Sequence, residues 1–380
     1  MKEYIVQPGD TLYSIARLFD MTTGRLRAIN PEVAETDMIY VGQTLRIPQA
    51  AAVRPTVEIN GYIYPIYDPS QWSTIFPYLT YLSIFGHELR PGGMLALPES
   101  EPLILAARTA GVAPLLVVTN AVEGVYSGEL LHEILADPRA QQALISNSIS
   151  LAKTQGYYGI NFGFEYILPE DYAPYAAFLE SAANQLHAFG LIIVASIRLV
   201  VVLEEPFVLP ASLSLYSRIL DRLILTPGGL ICADAVDPID AVQQGLDYIT
   251  QYISGPKILI GMPVCCYQWQ VPYPPGGQHR VLSVDEADAI IRAAGASPEI
   301  DPETQMPFFR IMEEEQVTQV LMCESACSLM IMTLVGLYNL GGISFRPLNI
   351  FNPGKYQVIN INNDIRRVLP RDEHSDGFNR

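Results

Sequence analysis

Basic residues are scarce. The chain has 23 Lys and Arg against 40 Asp and Glu, a formal net charge of −17. A nucleic-acid binder needs a basic face to neutralise phosphate, and this charge balance argues against one. The same deficit argues against adhesion to an anionic membrane by charge alone. Long apolar runs are missing too. The most apolar stretch, Ile192 to Leu203, is broken by Ser196 and Arg198, so nothing reaches transmembrane length. Met1 to Asp10 contains no apolar h-region, so no ordinary signal peptide is expected. The 5 cysteines are an odd number without zinc spacing. Cys265 and Cys266 are adjacent, and Cys323 and Cys327 lie a helical turn apart; reduced, buried thiols are the expected state. His87, His132, His187 and His279 form no nucleophile or metal spacing, and surface or helix roles are expected for all four. No metal and no cofactor is expected.

What is present is hydrophobic content of 49% in 380 residues, enough for one barrel of about 250 residues or more and something small. The central stretch is Gly156 to Tyr166. Ile160, Phe162 and Phe164 alternate with Asn161, Gly163 and Glu165, which predicts a strand with one apolar face and one small or polar face. A helix signal follows at once: Pro169, then Glu170 and Asp171 in the first turn, an apolar stripe from Tyr175 to Leu186, and Gly190 as a stop. Leu191 to Ile197 reads as the next strand. The unit is β-α-β, with a carboxylate at the C-terminal end of its first strand, the catalytic end in a (β/α)8 barrel.

Residues 1–48 read as a unit of their own. Tyr4 to Gln7 is a short strand, Pro8-Gly9 a turn, and Asp10 the N-cap of a helix from Thr11 to about Phe19. A second helix runs from Thr23 to Asn30 and stops at Pro31; Thr44 to Ile47 is a final strand. Residues 49–55 are a linker. From Thr56 strands and helices alternate, which predicts a parallel sheet with crossover helices. The expected strands are Val57–Ile63, Leu79–Phe85, Pro114–Thr119, the Glu165 strand, Leu191–Ile197, Ile219–Leu225, Lys257–Met262 and Gly342–Phe345. Residues 265 to about 325 are too long for one loop and helix and read as a small α+β insertion between strands 7 and 8. The barrel is expected to end at 369, with 370–380 a polar, disordered tail. The fold class is therefore α/β: a (β/α)8 TIM barrel with that insertion, preceded by a small βααβ module.

Two resemblances attach to these stretches. The run Tyr4-x-Val6-x-x-Gly9-Asp10-Thr11-Leu12-x-x-Ile15-Ala16, then Asn30-Pro31, then Gly42-Gln43-x-Leu45-x-Ile47-Pro48, resembles a LysM module throughout. That resemblance implies binding of N-acetylglucosamine-containing glycan, peptidoglycan or chitin, in a shallow groove at Gly9, Asp10, Thr11, Leu12, Asn30 and Pro31. Read as residues alone, Gly9, Asp10 and Asn30 also make turns and caps, and both roles are compatible. The Glu165 strand resembles the signature strand of family 18 glycoside hydrolases, Asp-Gly-x-x-x-Asp-x-Glu, and retains Gly159, Asn161 and Glu165. Pro169 to Gly190 and Lys257 to Trp269, with Pro274, Gly276 and Gly277, most resemble the LysM-bearing family 18 proteins of endospore formers, whose barrels act on spore cortex glycan.

The resemblance implies substrate-assisted hydrolysis, with Glu165 as general acid and the substrate's acetamide as nucleophile. Its helpers depart from the pattern. Tyr158 replaces the first Asp of the motif. Gly163 replaces the Asp that orients the acetamide and couples to the acid. Pro227 stands where strand 6 should end in a donor Tyr, and Arg346 where strand 8 should end in a stacking Trp. Cys265-Cys266-Tyr267-Gln268-Trp269 replaces Tyr-Gly-Tyr-Asp-Trp on strand 7. Asn161 could hold a water in the space left by Gly163, and Tyr267, Trp269 and Tyr273 are candidates for a sugar platform or for ordinary core. Glu165 could equally be a leftover carboxylate paired with Arg346 or Arg198, and Glu204-Glu205 could substitute for the lost Asp. The expected function is glycan binding by a LysM module and a barrel with a degenerate site. The alternatives are a slow N-acetylglucosaminidase and a structural spore-coat protein that assembles with other coat proteins. The resemblance places the protein in the spore coat or cortex after synthesis in the mother cell.

Overall fold

The computed structural model describes the chain except residues 1, 7–9, 13–14, 17–18, 20–22, 31–32, 34–37, 48–54, 66–71, 73, 123–124, 200–209, 228–237, 264–265, 272–279, 283, 301–306, 314–315, 322–331, 347–362 and 370–380. It divides into two compact units, Met1–Thr56 with Asn360–Asp364, and Val57–Ile359 with Ile365–Arg380.

In the first unit a strand, Lys2–Ile5, pairs antiparallel with Thr44–Ile47, and a helix, Thr23–Ile29, packs on the pair. Its core is Val6, Leu12, Ile15, Ala16, Leu26, Val33, Leu45 and Ile47. Asn30 fastens the helix end to the sheet. Its Nδ2 donates to Leu26 O (2.8 Å) and Arg46 O (2.9 Å), and its Oδ1 accepts from the Arg46 N–H at 2.7 Å.

The second unit is a closed parallel barrel. Its strands are β1 (Thr56–Ile63), β2 (Tyr81–Arg90), β3 (Ala113–Thr119), β4 (Gly159–Phe162), β5 (Ile192–Leu199), β6 (Arg222–Pro227), β7 (Ile258–Pro263) and β8 (Gly342–Arg346). Each pairs with the next, and β8 pairs with β1 to close the ring. The crossover helices include α1 (Glu101–Thr109), α2 (Gly128–Ala136), α3 (Pro138–Gln155), α4 (Tyr172–Ala188), α5 (Pro210–Ile219) and α6 (Pro238–Ile249). Between β7 and β8 a five-stranded antiparallel sheet and a helix, Val284–Ala294, form the insertion.

Several strand boundaries differ from the sequence reading; strand 2 runs Tyr81–Arg90 rather than Leu79–Phe85. Strand 6 begins at Arg222 rather than Ile219, because Ile219 closes α5 and the Leu220 N–H still bonds to Tyr216 O. β4 ends at Phe162, so Glu165 sits just beyond the strand. His87 is also not at the surface or on a helix. It lies fully buried on β2, past a register irregularity between Ile84 and His87 where Gly86 has φ +107°. One extra residue turns His87 from the barrel interior towards the helices. There its Nε2 lies 3.2 Å from Tyr157 OH, which lies 3.0 Å from Ser100 Oγ. Burial pushes the His87 pKa down to about 4, against a smaller upward pull from the Ile84 main chain.

The N-terminal floor of the barrel is ionic. Glu58 on β1 is buried and forked by the Arg222 guanidinium from β6, and Arg366 Nη1 approaches the same carboxylate at 3.2 Å. Hydrogen bonding to Glu58 raises the Arg222 pKa above its ordinary value, and burial raises Tyr81 beside it. Residues 365–369 form a strap beneath this floor. The Arg366 N–H donates to Val57 O, the Thr80 hydroxyl donates to Arg366 O at 2.7 Å, and Arg367 donates to Phe76 O and Pro77 O. Val368 and Leu369 pack against the apolar cluster inside the barrel.

Candidate functional site at the barrel mouth

The alternation around β4 is realised. Phe162 and Phe164 face outward onto Tyr175 and Phe178 of α4, with ring centroids 5.2 to 6.4 Å apart. Asn161 and the Cβ direction of Gly163 take the opposite face, towards the barrel interior.

Asn161 is fully buried in a neutral hydrogen-bond chain that crosses the barrel. Asn60 Nδ2 donates to Ser344 Oγ (2.8 Å), Ser83 Oγ donates to Asn60 Oδ1 (2.8 Å), and Asn161 Nδ2 donates to Tyr62 OH (2.8 Å) and, more weakly, to Ser83 Oγ (3.4 Å). Ser196 Oγ donates to Asn161 Oδ1 at 3.1 Å and lies 2.6 Å from Tyr62 OH. Both ends of the Asn161 amide are thus engaged by the barrel, which leaves little of it for a water or a sugar.

Two glycines on this segment are there for different reasons. A Cβ on Gly159 would meet Ile192 Cγ1 at 2.4 Å and Ile192 O at 2.5 Å, so close strand packing demands glycine. A Cβ on Gly163 would lie 3.5 Å from Val117 Cγ1, 3.8 Å from Val118 O and 3.9 Å from Thr119 Cγ2, ordinary contact distances. The backbone does not require glycine at 163, so what is missing there is chemistry rather than space.

Glu165 is half-buried at the mouth. Its backbone is gripped by Asn120, the fully buried residue that follows β3, an arrangement the sequence did not disclose. Asn120 Oδ1 accepts from the Glu165 N–H at 3.0 Å, and Asn120 Nδ2 donates to Glu165 O at 2.8 Å. Tyr166 follows with φ +54° and is 64% exposed; its ring lies 6.3 Å from that of Tyr126. A little further on, Asp171 is buried and accepts from His132 Nδ1 on α2 at 2.9 Å, and this bond raises the His132 pKa.

Trp269 is half-buried in the insertion sheet and packs against the main hydrophobic cluster. Tyr267 lies on the same strand, Pro227 ends β6 and Arg346 ends β8, placed by their backbones; their side chains lie outside the described residues, as do Arg198, Glu204, Glu205 and Tyr273. Pro227 carries no donor in any placement. In the first unit Asp10 accepts from Tyr4 OH at 2.7 Å, Thr11 is exposed and Leu12 is core; Gly9 and Pro31 lie outside the described residues. Among the described residues no group of His, Cys, Asp and Glu has the geometry of a metal site.

Residues 4–48 match the LysM domain family. The chain is 28% identical to the cortical fragment-lytic enzyme of Bacillus subtilis (strain 168), over 94% of this chain and 97% of that one. The crystal structure of the Bacillus cereus spore cortex-lytic enzyme SleL superposes with a TM-score of 0.78 at 25% identity, covering 97% of this chain and 88% of SleL. The fold is a LysM domain joined to a family 18-like barrel. A Chromobacterium violaceum chitinase shares the barrel fold at a TM-score of 0.70 and 20% identity, over 81% of this chain and 99% of the chitinase. The resemblance read from the sequence therefore holds along the chain: LysM domain first, chitinase-like barrel after it.

Proposed function

We propose that this protein binds N-acetylglucosamine-containing glycan, the peptidoglycan of the spore cortex, through its LysM domain and its barrel mouth, with little or no hydrolysis. The observation that carries the reading is Gly163. The position beside Glu165 accepts a Cβ without a clash, yet holds no side chain, and the polar layer around Asn161 is neutral. An acetamide bound there is neither oriented nor charge-compensated by a carboxylate, and Pro227 offers its oxygen no donor. Losing one preorganised electrostatic contact costs about 2–4 kcal/mol of transition-state stabilisation. Two such losses would remove most of what an aligned general acid can contribute.

The relatives named for cortex lysis support the glycan and the cortex as its place of action. The test is a reducing-end assay of the purified chain on chito-oligosaccharides and cortex glycan, with co-sedimentation alongside. Binding without turnover is expected, and Glu165→Gln should leave binding nearly unchanged. A second reading, slow hydrolysis with Glu165 as acid, is favoured by the grip of Asn120 on Glu165. Clear hydrolysis by the native chain, abolished by Glu165→Gln, would establish that reading in place of the first.

A further inference from the structure

We propose that Asn120 is a positioning residue for Glu165, aiming its carboxyl group at a bound sugar; the inference rests on the glycan reading of the barrel mouth. Strand pairing between β3 and β4 ends at Val118 and Phe162, with one further bond from the Gly163 N–H to Val118 O. Beyond that the two segments diverge, and Asn120 supplies the next link between them. Its carboxamide meets the Glu165 residue as a peptide group in a ladder would, accepting from N–H and donating to C=O.

The clasp is itself anchored. Asn120 Nδ2 also donates to Ser127 O at 2.9 Å, and the Ser127 N–H returns a bond to Asn120 O at 2.9 Å. Ser127 Oγ then accepts from the Leu130 N–H at 3.1 Å and caps α2. Gly128, the first residue of α2, lies so close to the next peptide that a Cβ there would sit 2.5 Å from Tyr166 O. Tyr166 is held at φ +54°, a conformation that side-chain-bearing residues adopt only when their surroundings impose it. A fully buried amide, a close-packed glycine and a left-handed tyrosine converge on the two residues 165 and 166. Core packing does not need this, because Phe162 and Phe164 already anchor the segment from the other face. The arrangement fixes the stretch of main chain from which the Glu165 side chain departs.

The test uses the full-length chain and chitotetraose, with peptide-resolved hydrogen exchange of residues 159–172 reading the barrel separately from the LysM domain. Ligand should protect this segment in the native protein. Asn120→Ala and Glu165→Ala should each raise the chitotetraose concentration needed for half-protection at least tenfold. The double variant should be no worse than the weaker single variant, since both remove the same contact. Asn120→Asp keeps the acceptor for the Glu165 N–H, loses both donated bonds, and serves the same cycle if the alanine variant does not fold. Additive losses, or native half-protection in Asn120→Ala, would overturn the positioning role while leaving the glycan reading intact. No ligand-dependent protection in the native chain would overturn both.

Discussion

At Gly163 a Cβ would sit at ordinary contact distance from Val117, Val118 and Thr119. Gly163→Asp therefore meets no clash at its Cβ, and it places a second carboxylate near Glu165 in a half-buried setting, where like charges oppose ionisation. A stability loss of about 1 kcal/mol, equivalent to a shift of roughly one pKa unit, is expected in urea unfolding at pH 7, and family-level turnover should not return because Pro227 and Arg346 remain. Strong turnover from this one change would show those two departures to be unimportant. His87 gives a pH effect with a definite sign. Its folded pKa is about 4, below the ordinary value near 6.5. The unfolded chain therefore takes up a proton first as pH falls, and stability is full above about pH 6.5 and declines towards pH 4. At pH 5 the loss from His87 should be about 2 kcal/mol, and His87→Gln should reduce the difference in unfolding free energy between pH 7 and pH 5, read from urea unfolding, by about that much.

Elements were legible where periodicity alone decides them. Ile160, Phe162 and Phe164 announce a half-polar strand whatever surrounds it, and Glu165 is found by following the polar face to its end. Asn120 was not legible, because an Asn after a strand reads as a turn, and its partner Glu165 is 45 residues away. His87 was misread for a related reason: one extra residue at Gly86 reverses the face, and alternation carries no warning of a bulge. Glu58 and Arg222 are 164 residues apart, and no local pattern links them. Asn30 was read as a cap or a binding residue, and its amide is committed to the Leu26 and Arg46 main chain. Asn30→Ala should cost the LysM domain about 2–3 kcal/mol, the scale of losing a buried amide and leaving its partners unmatched. The expected signature is faster amide exchange across Thr44–Ile47, and unchanged exchange there would mean the fastening is dispensable.

On the scale of the whole molecule, the strap at residues 365–369 ties distant parts of the sequence to the barrel floor. Arg366 reaches the Glu58 carboxylate, and its carbonyl takes the Thr80 hydroxyl across 286 residues of sequence. A ribosome releases the chain in order, so β1 and β2 emerge long before the segment that seals them. β1 must also wait for β8 before both its edges are paired. Ring closure is consequently a late, long-range event, and long-range strand pairing is slow and leaves strand edges exposed while it is pending. Deleting residues 365–369 should slow refolding and increase aggregation during it, measured by light scattering after dilution from urea, and refolding as fast and as clean as that of the full chain would show that the floor closes without its strap. Until β8 has been synthesised, the nascent sheet is an open ribbon whose first strand keeps one edge unpaired and available to other chains.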